Sequence, residues 1–304
     1  FKAEGNIVHY NRHESMHTKS ARIMNIRTIL LLSFLLLLSS CGSRVQKNIR
    51  GYDFSPKGCT QTKLGDQLRE ISGITLTDQG HLLAHDDEKG VIYRIDAMTG
   101  SILSSFHLGR TTVTEDFEDI AAVGENIYLV SSDGRLFFFR EGGDDGRVEY
   151  NVIFTSLSRA NNVEGLYYDR DANALLLACK DSPGRGFPGK RAVYSYSLTT
   201  QRINPIPRFL ITEKALHRLI AGKVFKPSAI ARHPIRFTYF ILSFDGRSLL
   251  ELGADGRILG LQRLDPRLHS QPEALTFLPN GDMLICDEGR RAGTMTRYFY
   301  QSEK

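Results

Sequence analysis

The sequence predicts an all-β fold, a single five-bladed β-propeller of four-stranded antiparallel blades whose N-terminal strand closes the last blade. Three observations predict it. A short motif recurs five times: Glu70-Ile71-Ser72-Gly73-Ile74, Asp116-Phe117-Glu118-Asp119-Ile120, Asn162-Val163-Glu164-Gly165-Leu166, Lys226-Pro227-Ser228-Ala229-Ile230 and Gln271-Pro272-Glu273-Ala274-Leu275. Its central positions, 72, 118, 164, 228 and 273, are separated by 46, 46, 64 and 45 residues, and about 40–45 residues is the length of a four-stranded blade. Each unit also carries short apolar runs divided by turn residues. An open β-sandwich is the rival arrangement, but a ring of meander blades leaves only short, protected edges.

In chain order, the first unit reads ISGITLT, HLLAHD, GVIYRID and ILSSFHL, with turn signals ending at Gly80, Gly90 and Gly100. The second gives DIAAV, NIYLVSS, RLFFFRE and VEYNVIF, broken by Asp133-Gly134 and Asp145-Gly146. The third opens NNVEGLYYD and continues LLLACKD. The fourth gives AIARH, TYFILSF, SLLELG and ILGLQRL around Asp245-Gly246 and Asp255-Gly256. Asx-Gly pairs suit hairpin turns because both residues tolerate positive φ. The interval of 64 is one unit plus 18 residues, too few for a sixth blade. Within it, Thr212–Ala221 (TEKALHRLIA) is predicted to form a short amphipathic helix. The fifth unit has three strands, ALTFLP, DMLICDE and TMTRYFY, before the chain ends. Tyr52-Asp53-Phe54 is the expected fourth, closing the ring.

The N-terminal forty residues read as targeting sequence. Arg22 and Arg27 flank Met24 and precede an apolar run from Ile29 to Leu38, followed by Leu38-Ser39-Ser40-Cys41-Gly42. A basic region, a brief apolar stretch and a small-residue site make a secretory signal, and the run is about half of what a bilayer span needs. Leu-Ser-Ser-Cys is similar to a bacterial lipobox, which implies cleavage before Cys41 and acylation of its thiol. Several acyl chains on one residue anchor stably where one does not. The expected organisation is therefore over-extended upstream translation over 1–23, a lipoprotein signal over 24–40, a tether over 41–50 and the propeller over 51–304. Localisation is expected in the bacterial cell envelope, lipid-anchored and extracytoplasmic, with the outer membrane favoured.

That boundary changes the charge. The whole chain has 39 Lys+Arg against 34 Asp+Glu, a net +5. Without residues 1–40 the balance is 34 against 32, or +2. No run of Lys/Arg with interleaved aromatics remains to track a phosphate backbone, so no nucleic-acid partner is expected. Cys59, Cys179 and Cys286 remain, permitting at most one disulfide. Cys179 and Cys286 end apolar strand-like runs and read as buried small hydrophobes, with Cys59 in a loop.

EISGI, DFEDI, NNVEGLYYD with LLLACKD, and QPEALTFLPNGDMLICDE together resemble the SdiA-regulated domain family, the YjiK/CarP group of extracytoplasmic propellers, from about Tyr52 to the C-terminus. The resemblance implies a propeller outside the cytoplasm, bound calcium in at least some members and a link to calcium handling. No reaction is established for the family as a whole. Where the family has Glu-Gly, this chain has Glu118-Asp119 and Glu273-Ala274.

The motif falls where a loop enters the strand lining the channel. Side chains two apart share a strand face, so Glu70/Ser72, Asp116/Glu118, Asn162/Glu164, Lys226/Ser228 and Gln271/Glu273 are expected around one channel mouth. Glu70, Asp116, Glu118, Glu164 and Glu273 are the candidate metal ligands. Crowded carboxylates repel in reduced dielectric, and a hard cation relieves them. Calcium takes six to eight oxygens in flexible geometry, and with no recurrent His or Cys it is expected over zinc. The alternative is that these acids cap turns or pair with arginines at blade joints. Ser72, Asn162, Ser228 and Gln271 are candidate ligand-binding positions, joined by Asp86, Lys180 and Asp287 from second-strand ends at the pocket rim. Asp133 and Asp245 read as turn residues. The loop Asp181–Lys190 (DSPGRGFPGK) lacks the order of a phosphate loop; through Arg185 or Lys190 it would meet a small anionic ligand. Templates for a GxSxG elbow and HExxH are absent. Two functions follow: a non-catalytic calcium- or ligand-binding module, or a calcium-dependent hydrolase of lactones, esters or phosphoesters using the channel metal.

Overall fold

A computed structural model of the chain describes residues 48–217, 220 and 223–302. The signal, the lipobox and Cys41 lie outside the described residues. Strand β1 (Cys59–Lys63) comes first, and the first blade follows as β2 (Ile71–Leu76), β3 (Leu82–Asp86), β4 (Val91–Ile95) and β5 (Ile102–Leu108). The second blade holds β6 (Phe117–Val123), β7 (Asn126–Ser131) and β8 (Leu136–Arg140). A two-residue β9 (Arg147–Val148) then runs parallel to β5, and β10 (Tyr150–Ile153) completes the second blade. The third comprises β11 (Val163–Asp169), β12 (Ala174–Cys179) and β13 (Lys190–Ser197), with β14 (Arg202–Ile203) and β15 (Phe209–Thr212) both pairing with β13. Helix α1 (Glu213–His217) lies inside the stretch predicted to be helical. The fourth blade is β16 (Ala229–Arg232), β17 (Tyr239–Ser243), β18 (Ser248–Leu252) and β19 (Ile258–Arg263). The fifth is β20 (Pro272–Phe277), β21 (Met283–Asp287) and β22 (Thr294–Tyr298).

Strand β1 closes the ring by pairing antiparallel with β22, Cys59 opposite Tyr298 and Lys63 opposite Thr294. The closing strand is thus Cys59–Lys63, not the expected Tyr52–Phe54. The sequence CTQTK hides it, because an outermost strand is mostly exposed and carries little apolar alternation. Tyr52 and Phe54 instead pack as aromatic fillers: Phe54 lies 5.0 Å from Tyr298 between ring centroids and Tyr52 lies 5.6 Å from Tyr300. Tyr52 also donates its hydroxyl to the Gly281 carbonyl at 2.6 Å. Ile49, placed in the tether by its polar neighbours, is buried among residues of the fourth and fifth blades, so the packed fold begins there rather than at 51. Cys59 opens β1 rather than a loop; Cys179 and Cys286 are buried, and all three are free thiols.

The apolar interior is divided into five clusters, one at each blade joint. Ile74, Ile120, Leu166, Ile230 and Leu275, each two residues beyond the motif centre, contribute one to each cluster. Neighbouring inner strands β2, β6, β11, β16 and β20 touch around the whole ring. Their approach explains the small residues that follow the motif centre. A Cβ on Gly73 would lie 2.9 Å from the Asp119 Cα and 2.3 Å from His85 Nε2; one on Gly165 would lie 3.1 Å from the Ala229 carbonyl carbon. At the one large exception, Asp119, the carboxylate makes the joint by hydrogen bonds. It accepts the Leu166 N–H of the next blade at 2.7 Å and the Ile120 N–H at 2.8 Å.

Overpacking such a joint costs about 1–3 kcal/mol. Gly73→Ala is expected to destabilise the fold by that amount in urea titration; a change below about 0.5 kcal/mol, the usual range for a neutral surface substitution, would show that the inner strands do not meet as closely as described.

Candidate functional site

In four blades the inner ladder slips by one residue inside the motif, passing from Ile71 to Gly73, Phe117 to Asp119, Val163 to Gly165 and Pro272 to Ala274. Ser72, Glu118, Glu164 and Glu273 are therefore the extra residues of β-bulges, with no ladder partner opposite, and a bulge re-aims its side chain. Ser228 holds the same place in the fourth blade, donating its N–H to the Leu242 carbonyl at 2.9 Å just before β16 begins to pair. The bulge breaks the simple alternation on which the expected i, i+2 pairs rested. The two members of each pair consequently do different jobs.

Three of the bulge residues are glutamates, and they share a neighbourhood with Lys180, which lies just beyond the end of β12. Glu164 is 5% exposed. Its Oε1 accepts Lys180 Nζ at 2.7 Å and Asn162 Nδ2 at 3.0 Å. Burial pushes the Glu164 carboxyl up, against the pull of Lys180. Burial and the neighbouring charges of Glu164, Asp116 and Glu273 push Glu118 up to about 9. Glu273 is held well above the ordinary carboxyl range by burial and then by Glu164. Burial works against the Lys180 ammonium, yet Glu164, Glu273 and Glu118 together raise its pKa. The two serines are already spent: Ser72 Oγ donates to the Glu118 carbonyl at 2.9 Å and Ser228 Oγ to the Pro272 carbonyl at 3.0 Å. Both hydroxyls staple one blade to the next.

The remaining predicted residues divide between the rim and the turns. Glu70 is at the rim, paired with Arg69 at 2.9 Å. Asp116 accepts the Ser132 hydroxyl, and its backbone carbonyl accepts the Ser132 N–H at 3.0 Å, which makes it a turn cap beside Glu118. Asn162, at φ +50°, bridges Glu164 and Asp181. Lys226 pairs with Asp181 at 2.9 Å. Gln271 donates to Glu288 through Nε2. Asp86 and Asp287, expected at the pocket rim, are engaged in local hydrogen bonds, Asp287 Oδ1 accepting the Gln271 N–H at 3.1 Å. Both face ladder partners, Ile71 and Pro272, so their side chains stay within the blades. Asp86 Oδ1 accepts the N–H groups of Glu88 and Lys89 at 3.2 and 2.8 Å. Asp287, 1% exposed, lies 2.8 Å from His269 Nδ1, whose Nε2 is 2.8 Å from the Tyr298 hydroxyl.

The next residues along, Asp87 and Glu288, carry the rim charge instead. Burial together with Glu70 and Asp86 pushes Asp87 up to about 6. Burial together with Asp87 and Glu70 pushes Glu288 up to about 7. Glu288 lines a cavity of about 680 Å³ with Glu70, Gln271, Arg69, Arg247 and Arg290. The signal for both was in the sequence: the acids come in runs, Asp86-Asp87-Glu88 and Asp287-Glu288, and the residue beyond the ladder is the one freed from the sheet.

The donor set is suited to a hard cation in kind, being oxygen-only with more carboxylates than cations. Among the described residues, no three His, Cys, Asp or Glu side chains stand in ligating geometry. Lys180 holds the Glu164 oxygen that a cation would take.

No family model matches the chain, and no curated protein matches it. Solved structures do. A Myxococcus xanthus glutaminyl cyclase superposes with a TM-score of 0.53 at 11% identity, covering 80% of this chain and 96% of that one. A glucose dehydrogenase superposes with a TM-score of 0.50 at 13% identity, covering 80% of this chain and all of its own. At these identities the likeness shows the fold alone.

A carboxyl whose pKa is raised on folding stabilises least when it must ionise. Glu118 titrates near 4.5 when unfolded and at about 9 in the fold, so stability is full below the lower value and is lost as pH rises through the upper one. With EGTA present, Glu118→Gln is expected to raise stability by several kcal/mol at pH 9 and leave it unchanged at pH 4. Denaturation midpoints across that range check it; an equal effect at both ends would contradict the crowding.

Proposed function

We propose that the chain is a binding protein of the bacterial cell envelope whose acidic channel mouth takes up a divalent cation, calcium by its donor chemistry. The observation that carries this reading is the meeting of Glu118, Glu164 and Glu273 at one site with Lys180 as their shared cation. Glu118, Glu164 and Glu273 would hold the ion, with the Asn162 side-chain oxygen beside Glu164. Lys180 is the counter-charge of Glu164 and would be displaced from that carboxylate oxygen by a bound cation. The ion supplies Lewis acidity and charge neutralisation to whatever anionic group approaches from the rim. The family resemblance carried by EISGI, DFEDI and NNVEGLYYD supports the same reading.

A second reading, calcium-dependent hydrolysis of a lactone, ester or phosphoester, is favoured by one observation. Glu288, pushed up to about 7, faces the rim cavity, and a general base works best with a pKa near the operating pH.

Binding of a cation to the folded state alone raises stability by mass action. Millimolar calcium is expected to raise the Tm by several degrees, about 2.7 kcal/mol at a hundredfold excess over Kd, and Glu164→Gln is expected to abolish the rise. An unchanged Tm in the native chain would remove the metal site. Robust calcium-dependent turnover of an ester panel, lost in Glu288→Gln, would replace binding with hydrolysis.

Anchoring is proposed at Cys41, on the strength of Leu38-Ser39-Ser40-Cys41. Cys41→Ala is expected to move the protein from the membrane pellet to the soluble fraction of fractionated cells. An unchanged distribution would contradict a lipid anchor there.

A further inference from the structure

The opposite mouth of the channel holds a cavity of about 380 Å³ that the acidic site does not use. Each inner strand contributes the same three positions to its lining, beginning two residues beyond the motif centre. The first of them in each blade is the buried aliphatic ring described above, from Ile74 to Leu275, which lies nearest the motif and forms the floor. That floor separates the cavity from the carboxylates.

The charges at this mouth cancel. Arg170 pairs with Asp78 at 2.8 Å and Arg232 with Asp171 at 2.7 Å. His233, fully buried, accepts the N–H groups of Ile235 and Arg236 on Nδ1 at 3.1 Å each, which leaves the ring neutral. Beside those closed pairs the rim carries exposed apolar side chains. The β16–β17 loop leaves Phe237 60% and Ile235 47% exposed. Phe237 sits at φ +56°, where a bulky side chain is a genuine outlier. Its N–H donates to the His233 carbonyl at 3.0 Å, which holds the loop in that strained form. Strain of this kind clusters at ligand clamps.

We infer that this mouth is a second binding site, for a small, neutral, largely apolar molecule. The volume is within the range of small-molecule pockets, about 300–1,000 Å³. The aliphatic floor takes the apolar body, Phe237 covers it, and the closed ion pairs at the rim leave no charge for an ionic ligand to neutralise. The site is independent of the acidic mouth because the aliphatic ring lies between them.

The test uses two fluorescent probes of similar shape, neutral N-phenyl-1-naphthylamine and its anionic counterpart 1-anilinonaphthalene-8-sulfonate, titrated into the full chain. The neutral probe is expected to bind saturably, one per chain, and the sulfonate about tenfold more weakly or worse, a difference of one decade in Kd. Ala122→Trp, which fills the cavity from β6, is expected to weaken the neutral probe by about tenfold or more. Phe237→Ser changes an exposed side chain and is expected to weaken it several-fold without lowering the Tm. Glu164→Gln, at the other mouth, is expected to leave it unchanged. Failure of the neutral probe to saturate, equal affinity for the sulfonate, or native affinity in both cavity variants would overturn the site. Weakened binding in Glu164→Gln would overturn its independence.

Discussion

Five inner strands meeting around one axis impose the constraint on which the rest of the molecule depends. Backbone meets backbone there, so the residue after each motif centre must be small or must bridge. Gly73, Gly165, Ala229 and Ala274 are small, and Asp119 bridges by accepting the Leu166 N–H. The bulge immediately before lets each strand bend into that approach while keeping its outer ladder in register. One consequence is structural: the hydroxyls of Ser72 and Ser228 fall within reach of the neighbouring blade and fasten it. Another is chemical. Wherever the bulge residue is glutamate rather than serine, its carboxylate is delivered to the same small volume, and three of the five blades do so.

Crowding of that kind has a cost, which Lys180 offsets in part. Lys180 reaches Glu164 from the end of the second strand of its own blade and is felt by Glu118 and Glu273. One ammonium cannot neutralise three carboxylates, so the cluster holds protons at neutral pH or takes up a further positive charge. The two ends of the channel therefore differ in kind: one gathers unneutralised oxygens, and the other offers aliphatic side chains and closed ion pairs. The ring formed by Ile74, Ile120, Leu166, Ile230 and Leu275 divides them, and it is also where the five core clusters reach the axis.

Much of the architecture was legible from spacing alone. A motif at 72, 118, 164, 228 and 273 placed the five inner strands, and Asx-Gly pairs marked hairpins between them. The closing strand was not legible, because Cys59–Lys63 pairs on one edge and buries too little to show a pattern, whereas Tyr52 and Phe54 mimic one by alternating aromatics. At the site, spacing grouped Glu118, Glu164 and Glu273 with Glu70 and Asp116 and offered Lys226 as their cation, whereas the ammonium on Glu164 is that of Lys180 and Lys226 pairs with Asp181. Spacing did not show that Asp86 and Asp287 end their ladders, paired with Ile71 and Pro272. Asp87 and Glu288, one step further, have no ladder partner and face the mouth. Nor could sequence show that Ser72 and Ser228 are committed to carbonyls across the blade joints, which is a property of the closed ring.

A crystal structure of the full chain grown with calcium decides whether the acidic mouth holds the ion. One strong peak is expected among Glu118, Glu164 and Glu273, with oxygen ligands at about 2.3–2.6 Å and the Lys180 ammonium withdrawn from Glu164. A mouth without such density, in which Lys180 still pairs with Glu164 at saturating calcium, would contradict it.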